Sequence, residues 1–258
     1  MRAGPAKLLR ACLAAVTFLT VLPLGRRVVL DGADVARGSV LFPVVGALIG
    51  AASGGTAWFL GDHLPPLLAA VLGVAVGVVL TGALHLDGLA DCADGFGART
   101  PEDRLRVMRD HTNGTYGGSA LVLDLLIRVA ALAALAGTRD ALLASVGAGA
   151  LARVGGPVLS IRLPYAQGRP GAGEALNSHP STGRAVAAAA IGFVIAACAL
   201  ASVVPVGASP AAFVVTAVTI LLVGRAARRR LGGVTGDVMG ACSELIELAV
   251  LVTVIAVR

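Results

Sequence analysis

The sequence is poor in charge and in aromatic rings: 14% of its 258 residues are charged, and its aromatics are six Phe, two Tyr and one Trp. Scarce charge excludes a soluble domain with an ordinary solvated surface, because the 57% of hydrophobic residues come in long blocks rather than in amphipathic stripes. Scarce rings argue against nucleic acid as a partner despite a net charge of +6, since base-stacking platforms are missing and no basic helix is surface-amphipathic. The four cysteines, Cys12, Cys92, Cys198 and Cys242, form no C-x-x-C pair, which excludes a disulfide framework or a zinc site as the organising device. No internal repeat stands out.

What is present is an all-α polytopic membrane bundle of about seven transmembrane helices plus an N-terminal interfacial helix, with residues 1–258 forming one integral-membrane domain. The predicted spans are 39–60, 65–86, 118–136, 141–161, 185–206, 210–224 and 238–257. Residues 1–38 form the interfacial segment: the apolar run 11–24 is short, follows Arg2, Lys7 and Arg10, precedes Arg26 and Arg27, and lacks a small-residue cleavage site. With that run in the interface, 17 basic residues fall on one side and two, Arg139 and Arg258, on the other; with it spanning, the ratio drops to 14:5. The first arrangement faces loops 87–117 and 225–237 to the cytosol and places the chain in the cytoplasmic membrane, in contact with lipid. Gly46, Gly50 and Gly54 form a small-residue ladder in the first span, read as internal packing ahead of dimerisation, so a second copy of the chain stays an open partner.

The chemistry concentrates in the stretch 84–97, LHLDGLADCADGFG. At about 100° per residue, Asp87, Asp91 and Asp94 fall within roughly 60° on one helical face and His85 falls on the other side. Like charges on one stripe repel unless a cation neutralises them, and oxygen-only donors select Mg²⁺, Mn²⁺ or Ca²⁺ over zinc. The ordinary alternative is a solvated acidic helix end. The second predicted span runs straight into this motif. Further along the loop, Thr100 is placed to cap a helix from Pro101, with Glu102 and Asp103 in its first turn and Arg109 in its last. Arg104, Arg106 and Arg109 would then form either a phosphate-binding rim or a solvated surface, and the backbone amides of Thr115, Tyr116 and Gly117 are available to an anion.

Loop 225–237 joins the basic run Arg228, Arg229 and Arg230 to Gly232, Gly233, Thr235, Gly236 and Asp237, a glycine-rich lead into a helix of the kind that approaches phosphate. Asp237 and Glu244 share one face with Gly240 between them. Counting about 1.5 Å per residue from the cytosolic ends, Asp124 and Glu244 lie about 9 Å deep, Arg153 about 12 Å, Glu247 about 13 Å and Arg128 about 15 Å. Asp124 and Arg128 can pair at i, i+4, whereas Arg153 and Glu247 need each other, which predicts a polar cavity beneath the acidic motif.

These motifs together resemble the cobalamin 5'-phosphate synthase family, also called adenosylcobinamide-GDP ribazoletransferase. The resemblance rests on Phe18-Leu-Thr-Val-Leu-Pro23, on 85–95, on Met108-Arg-Asp110 with Gly114-Thr-Tyr-Gly117, and on 231–241 followed by Glu244 and Glu247. Two departures each remove a family cation: His111-Thr112 stand where Ser-Arg is usual, and Tyr165-Ala166-Gln167 where Tyr-Ala-Arg is frequent, although Arg109 and Arg169 lie nearby. The resemblance implies a magnesium-dependent transfer in which a hydroxyl of α-ribazole, free or as its 5'-phosphate, displaces GMP from adenosylcobinamide-GDP. It implies Asp87, Asp91 and Asp94 as metal ligands; Asp94, Asp237 and Glu244 as catalytic groups; and Arg109, Thr115, Tyr116, Arg153, Arg228, Arg229, Arg230, Gly233, Thr235 and Glu247 as substrate contacts. A CDP-alcohol phosphotransferase is the runner-up, but Asp91 stands where the Asp-Gly-x-x-Ala-Arg hallmark requires arginine. A transporter using Asp124, Arg128, Arg153, Glu244 and Glu247 is the third reading.

Overall fold

The computed structural model describes residues 4–24, 28–110, 112–166, 173–208 and 210–258, so Arg2, Arg26, Arg27, His111, Gln167 and Arg169 lie outside the described residues. The chain runs through α1 (Pro5–Leu19), α2 (Gly32–Gly38), a 3-10 turn at Ser39–Leu41, α3 (Phe42–Gly61), α4 (Pro66–Thr81), α5 (Leu84–Gly97) and α6 (Pro101–Val107). It continues through α7 (Thr115–Ala133), α8 (Arg139–Ala152), α9 (Gly155–Arg162), α10 (Glu174–Ser178), α11 (Thr182–Leu200), α12 (Pro210–Leu231) and α13 (Gly236–Val257). Among the described residues, extended pairing is limited to an isolated bridge between Tyr165 and Val234. Starts are set by local chemistry: Pro stands in the first turn of α3, α4 and α6, and Asp31, Thr100, Ser181 and Thr235 cap α2, α6, α11 and α13 with their side chains.

Among the described residues, six segments are long and apolar enough to cross a membrane: Gly32–Gly61, Thr115–Ala133, Arg139–Arg162, Thr182–Leu200, Pro210–Leu231 and Gly236–Val257. α4 and α5 qualify as a seventh only when taken together. At 15 residues, α1 is shorter than a span; it binds α2 through the ion pair of Arg10 with buried Asp34 and exposes Leu8 and Leu9, as an interfacial helix does.

The second predicted span does not run straight into the acidic motif. α4 and α5 meet at 89°, because Gly82 (φ 60°) and Ala83 (φ 58°) are both left-handed. Ala83 N–H donates to Val78 O at 3.1 Å and Gly82 N–H to Val79 O at 3.2 Å, the paired bonds of a Schellman ending with Gly82 at C′. All of the pair's charge is on α5, so α4 is the part of the pair suited to lipid.

Close backbone approach organises the bundle. A Cβ at Gly46, Gly50 or Gly54 of α3 would stand 2.1, 2.0 or 2.2 Å from Gly149 O, Ser145 O or Ala141 O of α8, so this ladder packs internally. Gly88 of α5 lies against Asp237 of α13 in the same way, with 2.8 Å to Asp237 O, and Gly240 lies against His85.

Three buried charges, Asp124, Arg153 and Glu244, and two half-buried ones, Arg128 and Glu247, tie the spans together. Arg128 of α7 pairs with Asp124 at 3.1 Å, with Glu247 of α13 at 2.8 Å and with Glu244 of α13, while Arg153, at the break between α8 and α9, pairs with Glu247 at 3.2 Å. Arg153 and Glu247 therefore meet as their matching depths predict, but the Asp124 and Arg128 pair is not self-contained. Because Glu247 serves two arginines, Glu247→Ala is expected to destabilise more than Arg153→Ala, which leaves Glu247 paired with Arg128. Thermal unfolding in detergent should give a double variant that loses less than the sum of the singles, with coupling of about 1 kcal/mol or more; additive losses would show that the pairs act independently. By the same measurement Gly50→Val is expected to cost about 3 kcal/mol, whereas Gly55→Ala, whose Cβ would meet only Leu142 at 3.7 Å, is near neutral.

Candidate functional site

The α5–α13 contact creates the site. α5 crosses the start of α13 at Gly88, which brings Asp87 and Asp91 beside Asp237. Asp87 is exposed and Asp91 half-buried. Burial first, and then Asp87, Asp237 and Asp94, push Asp91 up to about 7. Among the described residues no three His, Cys, Asp or Glu side chains converge as they would around a bound ion. The donor chemistry nevertheless suits a hard divalent cation, since every group in the crowd offers oxygen alone.

Asp94 is engaged differently from its two neighbours on the stripe. Its Oδ2 accepts from Gly114 N–H at 2.7 Å and its Oδ1 from Gly117 N–H at 2.8 Å. The amides at 114–117 do hold an anion, and that anion is Asp94 itself. Two unpaired N–H groups at the start of α7 are thereby satisfied, and α5 is fixed against α7.

Beneath the carboxylates lies a cavity of about 670 Å³. Asp87 and Asp237 line its polar wall together with Arg109, Arg153, His85 and Thr235, while Phe18, Phe42, Met108, Leu176 and Met239 form apolar walls. Phe18 and Phe42 are stacked, with centroids 5.4 Å apart and planes 7° from parallel. The predicted polar cavity thus exists, with Arg153 at its wall and only 3% exposed. Glu244 and Glu247 do not line it; they lie behind it and hold Arg128 and Arg153. Glu244 still reaches the site through His85, whose Nδ1 is 3.9 Å from Glu244 Oε1.

Several expected substrate contacts have structural duties of their own, and others lie outside the cavity described above. Arg228, Arg229 and Arg230 are exposed in the last turn of α12, where Arg230 covers the Phe96 ring at 5.6 Å and its carbonyl accepts from Arg104. Gly233 is required by chain approach: its Cβ would stand 2.4 Å from Pro164 O, because Val234 N–H donates to Pro164 O and Ala166 N–H to Val234 O, both at 2.9 Å. Thr235 caps α13 by accepting from Val238 N–H at 3.2 Å. Thr115 and Tyr116 are exposed and outside the cavity, the Tyr116 ring lying against Gly97. α6 forms from Pro101 under the Thr100 cap as expected but ends at Val107, and Arg109, two residues beyond, lines the cavity.

The residues that sequence reasoning missed are His85 and the apolar walls. His85 was placed off the acidic stripe, and that opposite face is the one that α13 covers. Phe18 carried a visible landmark without a role, and its ring proves to be a wall of the cavity.

Residues 11–255 match the family profile described as cobalamin-5-phosphate synthase. The chain is 40% identical over 252 residues to the adenosylcobinamide-GDP ribazoletransferase of Azorhizobium caulinodans, covering 94% of each chain. It is 38% identical to that of Bradyrhizobium diazoefficiens, over 94% of this chain and 92% of the relative, and 37% identical to that of Escherichia coli K12, over 94% and 98%. No solved structure matches the chain. Likeness running through both acidic helices and every span sets aside the phospholipid-synthase and transporter readings: the chain belongs to the cobalamin-5-phosphate synthase family.

Proposed function

We propose that this chain transfers the cobinamide-phosphate moiety of adenosylcobinamide-GDP to α-ribazole or its 5'-phosphate, releasing GMP and forming adenosylcobalamin or its 5'-phosphate late in cobalamin assembly. The observation that carries the reading, beside the family, is one cavity whose lining combines Asp87, Asp237, Arg109 and Arg153 with apolar walls. A ribazole hydroxyl oxygen bonds to the phosphorus that carries cobinamide. The bond from that phosphorus to the oxygen of GMP breaks, GMP keeps the electron pair, and the hydroxyl proton passes to a carboxylate. Asp237 is the best placed to take it, since it lines the cavity, whereas Asp94 is held by amides and Glu244 by Arg128.

Asp87 and Asp91 would hold Mg²⁺, and a bound magnesium ion supplies charge neutralisation for the diphosphate and the departing GMP. Arg109 and Arg153 bind phosphate oxygens from two sides, and Glu247 keeps Arg153 in place. The apolar walls seat the organic parts of the substrates and exclude water from the phosphorus. The site faces the cytosol of a bacterial cytoplasmic membrane, on the side that carries the basic loops.

GMP release from adenosylcobinamide-GDP by the purified protein, dependent on α-ribazole, is the direct test; no release would overturn the reading. Asp87→Asn and Asp91→Asn are expected to lower turnover by about 100-fold or more with unchanged melting, and removal of metal by EDTA should do the same until Mg²⁺ is restored. Asp94→Ala should instead lower the melting temperature, by orphaning the Gly114 and Gly117 amides. Orientation is checked separately: Thr112→Cys, in a background without the native cysteines, should react with an impermeant thiol reagent only in inverted vesicles, and labelling of intact cells would reverse the topology.

A further inference from the structure

The landmark at 18–23 has no part in the transfer chemistry, yet Phe18 stands on the wall of the active cavity. Its position is fixed. Arg10 pairs with buried Asp34 and so docks α1 on α2, and Gly38 admits α1 closely, since a Cβ there would stand 2.6 Å from Ala11 O. Just beyond α1, Val21 N–H donates to Leu80 O at 2.9 Å, and the Val21 side chain lies 2.6 Å from where a Cβ of Gly82 would stand. The end of α1 is therefore held by the same turn that aims α5 and places Asp87.

Phe18 stacks on Phe42, and of the two rings Phe42 is 3% exposed while Phe18 is half-buried, so the stack presents chiefly the Phe18 ring. Elsewhere on the apolar side, Leu176 of α10 and Met239 of α13 both come within 3.8 Å of the Cβ position of Gly156. Met239 stands in the first turn of α13 with Asp237, and both line the cavity. Apolar wall and carboxylate thus adjoin.

A chamber of about 670 Å³ is of the size that encloses a drug-sized molecule. The corrin with its amide arms far exceeds that, and it stays outside together with the adenosyl group it carries. Guanine could enter by size, but each donor or acceptor of its edge laid against Phe18, Leu176 or Met239 would lose water without gaining a partner. The dimethylbenzimidazole ring of α-ribazole is apolar on both faces and along its methyl edge. We propose that the apolar side of the cavity, with Phe18 as its aromatic wall, seats the base of α-ribazole, so that the interfacial helix α1 takes part in selecting the base. The inference rests on the reading under Proposed function. Seated there, the base leaves its ribose to the polar wall, where the hydroxyl meets Asp237; ring on ring supplies contact that a polar-edged base would offset by its desolvation.

The test compares the α-ribosides of dimethylbenzimidazole, benzimidazole and adenine as substrates of the full, magnesium-loaded protein in detergent, at saturating adenosylcobinamide-GDP. With the unaltered protein, kcat/KM is expected to fall about 10-fold on loss of the two methyl groups and further for adenine, whose edge is polar. Phe18→Leu, which keeps an apolar side chain and removes the ring, should raise the KM for α-ribazole about 10-fold while the KM for adenosylcobinamide-GDP moves by less than about threefold; a merely structural role would move both alike. Should Phe18→Leu lose its melting transition, Leu176→Val is expected to show the same one-sided rise, severalfold in size. Equal kcat/KM for the three ribosides, or a folded Phe18 variant whose KM rises as much for adenosylcobinamide-GDP as for α-ribazole, would overturn the assignment. If GMP is released with α-ribazole but the ribosides are not distinguished, only the base seat falls; if none is released, the parent reading falls first.

Discussion

One arginine governs how this bundle can assemble. A carboxylate inside a bilayer costs a few kcal/mol unless it is paired, and α13 carries two of them. Arg128 meets both, together with Asp124 on its own helix, and Glu247 in turn holds Arg153. These bonds fix α13 against α7 and against the α8–α9 break in both depth and rotation. Everything in the site is placed from that reference: the first turn of α13 sets Asp237, the same face two turns on meets the charge network at Glu244, and Arg153 is left at the cavity wall. A hydrophobic α13 would pack, but nothing would specify its register.

Given that register, α5 has little freedom. Gly88 and Gly240 allow it to lie close on α13, and Asp94 pins its far end to the amides that open α7. Its near end is set by the reversal at Gly82 and Ala83. A left-handed alanine costs about 1–2 kcal/mol, which the surrounding contacts offset. The sharp turn converts an apolar run that would have carried His85 and Asp87 onward along the α4 axis into a helix laid over the N-terminal end of α13. The carboxylates are crowded there because the backbone leaves them no other place, and crowding of this kind is what a divalent cation relieves.

Much of this was legible in the sequence, and the rest was hidden for identifiable reasons. Span count, the Thr100 cap, the internal role of the Gly46 ladder and the meeting of Arg153 with Glu247 all follow from local periodicity or depth along a helix axis. The break after Thr81 was masked by hydropathy, which stays high through Gly82 and Ala83 and says nothing of direction; only Gly82, as a C′ glycine, marked it. Helical spacing put Asp94 with Asp87 and Asp91, as the structure does, but its occupants come from 20 and 23 residues later. Arg128 looked satisfied by Asp124 at i, i+4, and its other partners lie 116 and 119 residues on. A charge that already has a local partner gives no reason to look for distant ones, whereas Arg153 and Glu247, without such a partner, pointed to each other.

The same structure settles how the polar groups divide their work. The Thr-Gly-Asp segment has the composition of a phosphate-binding loop, yet its hydrogen bonds are largely spent on the protein: Val234 N–H on Pro164 O, Val238 N–H on Thr235 Oγ1 and Met239 N–H on Thr235 O. The amides before α7 are spent on Asp94. Backbone dipoles therefore hold the site together, while the full charges at the cavity wall are those of Asp87, Asp237, Arg109 and Arg153. Full charges suit a diphosphate better than partial ones, because the negative charge on the departing phosphate grows as its bond breaks, and a water-poor cavity strengthens their hold on it at that moment.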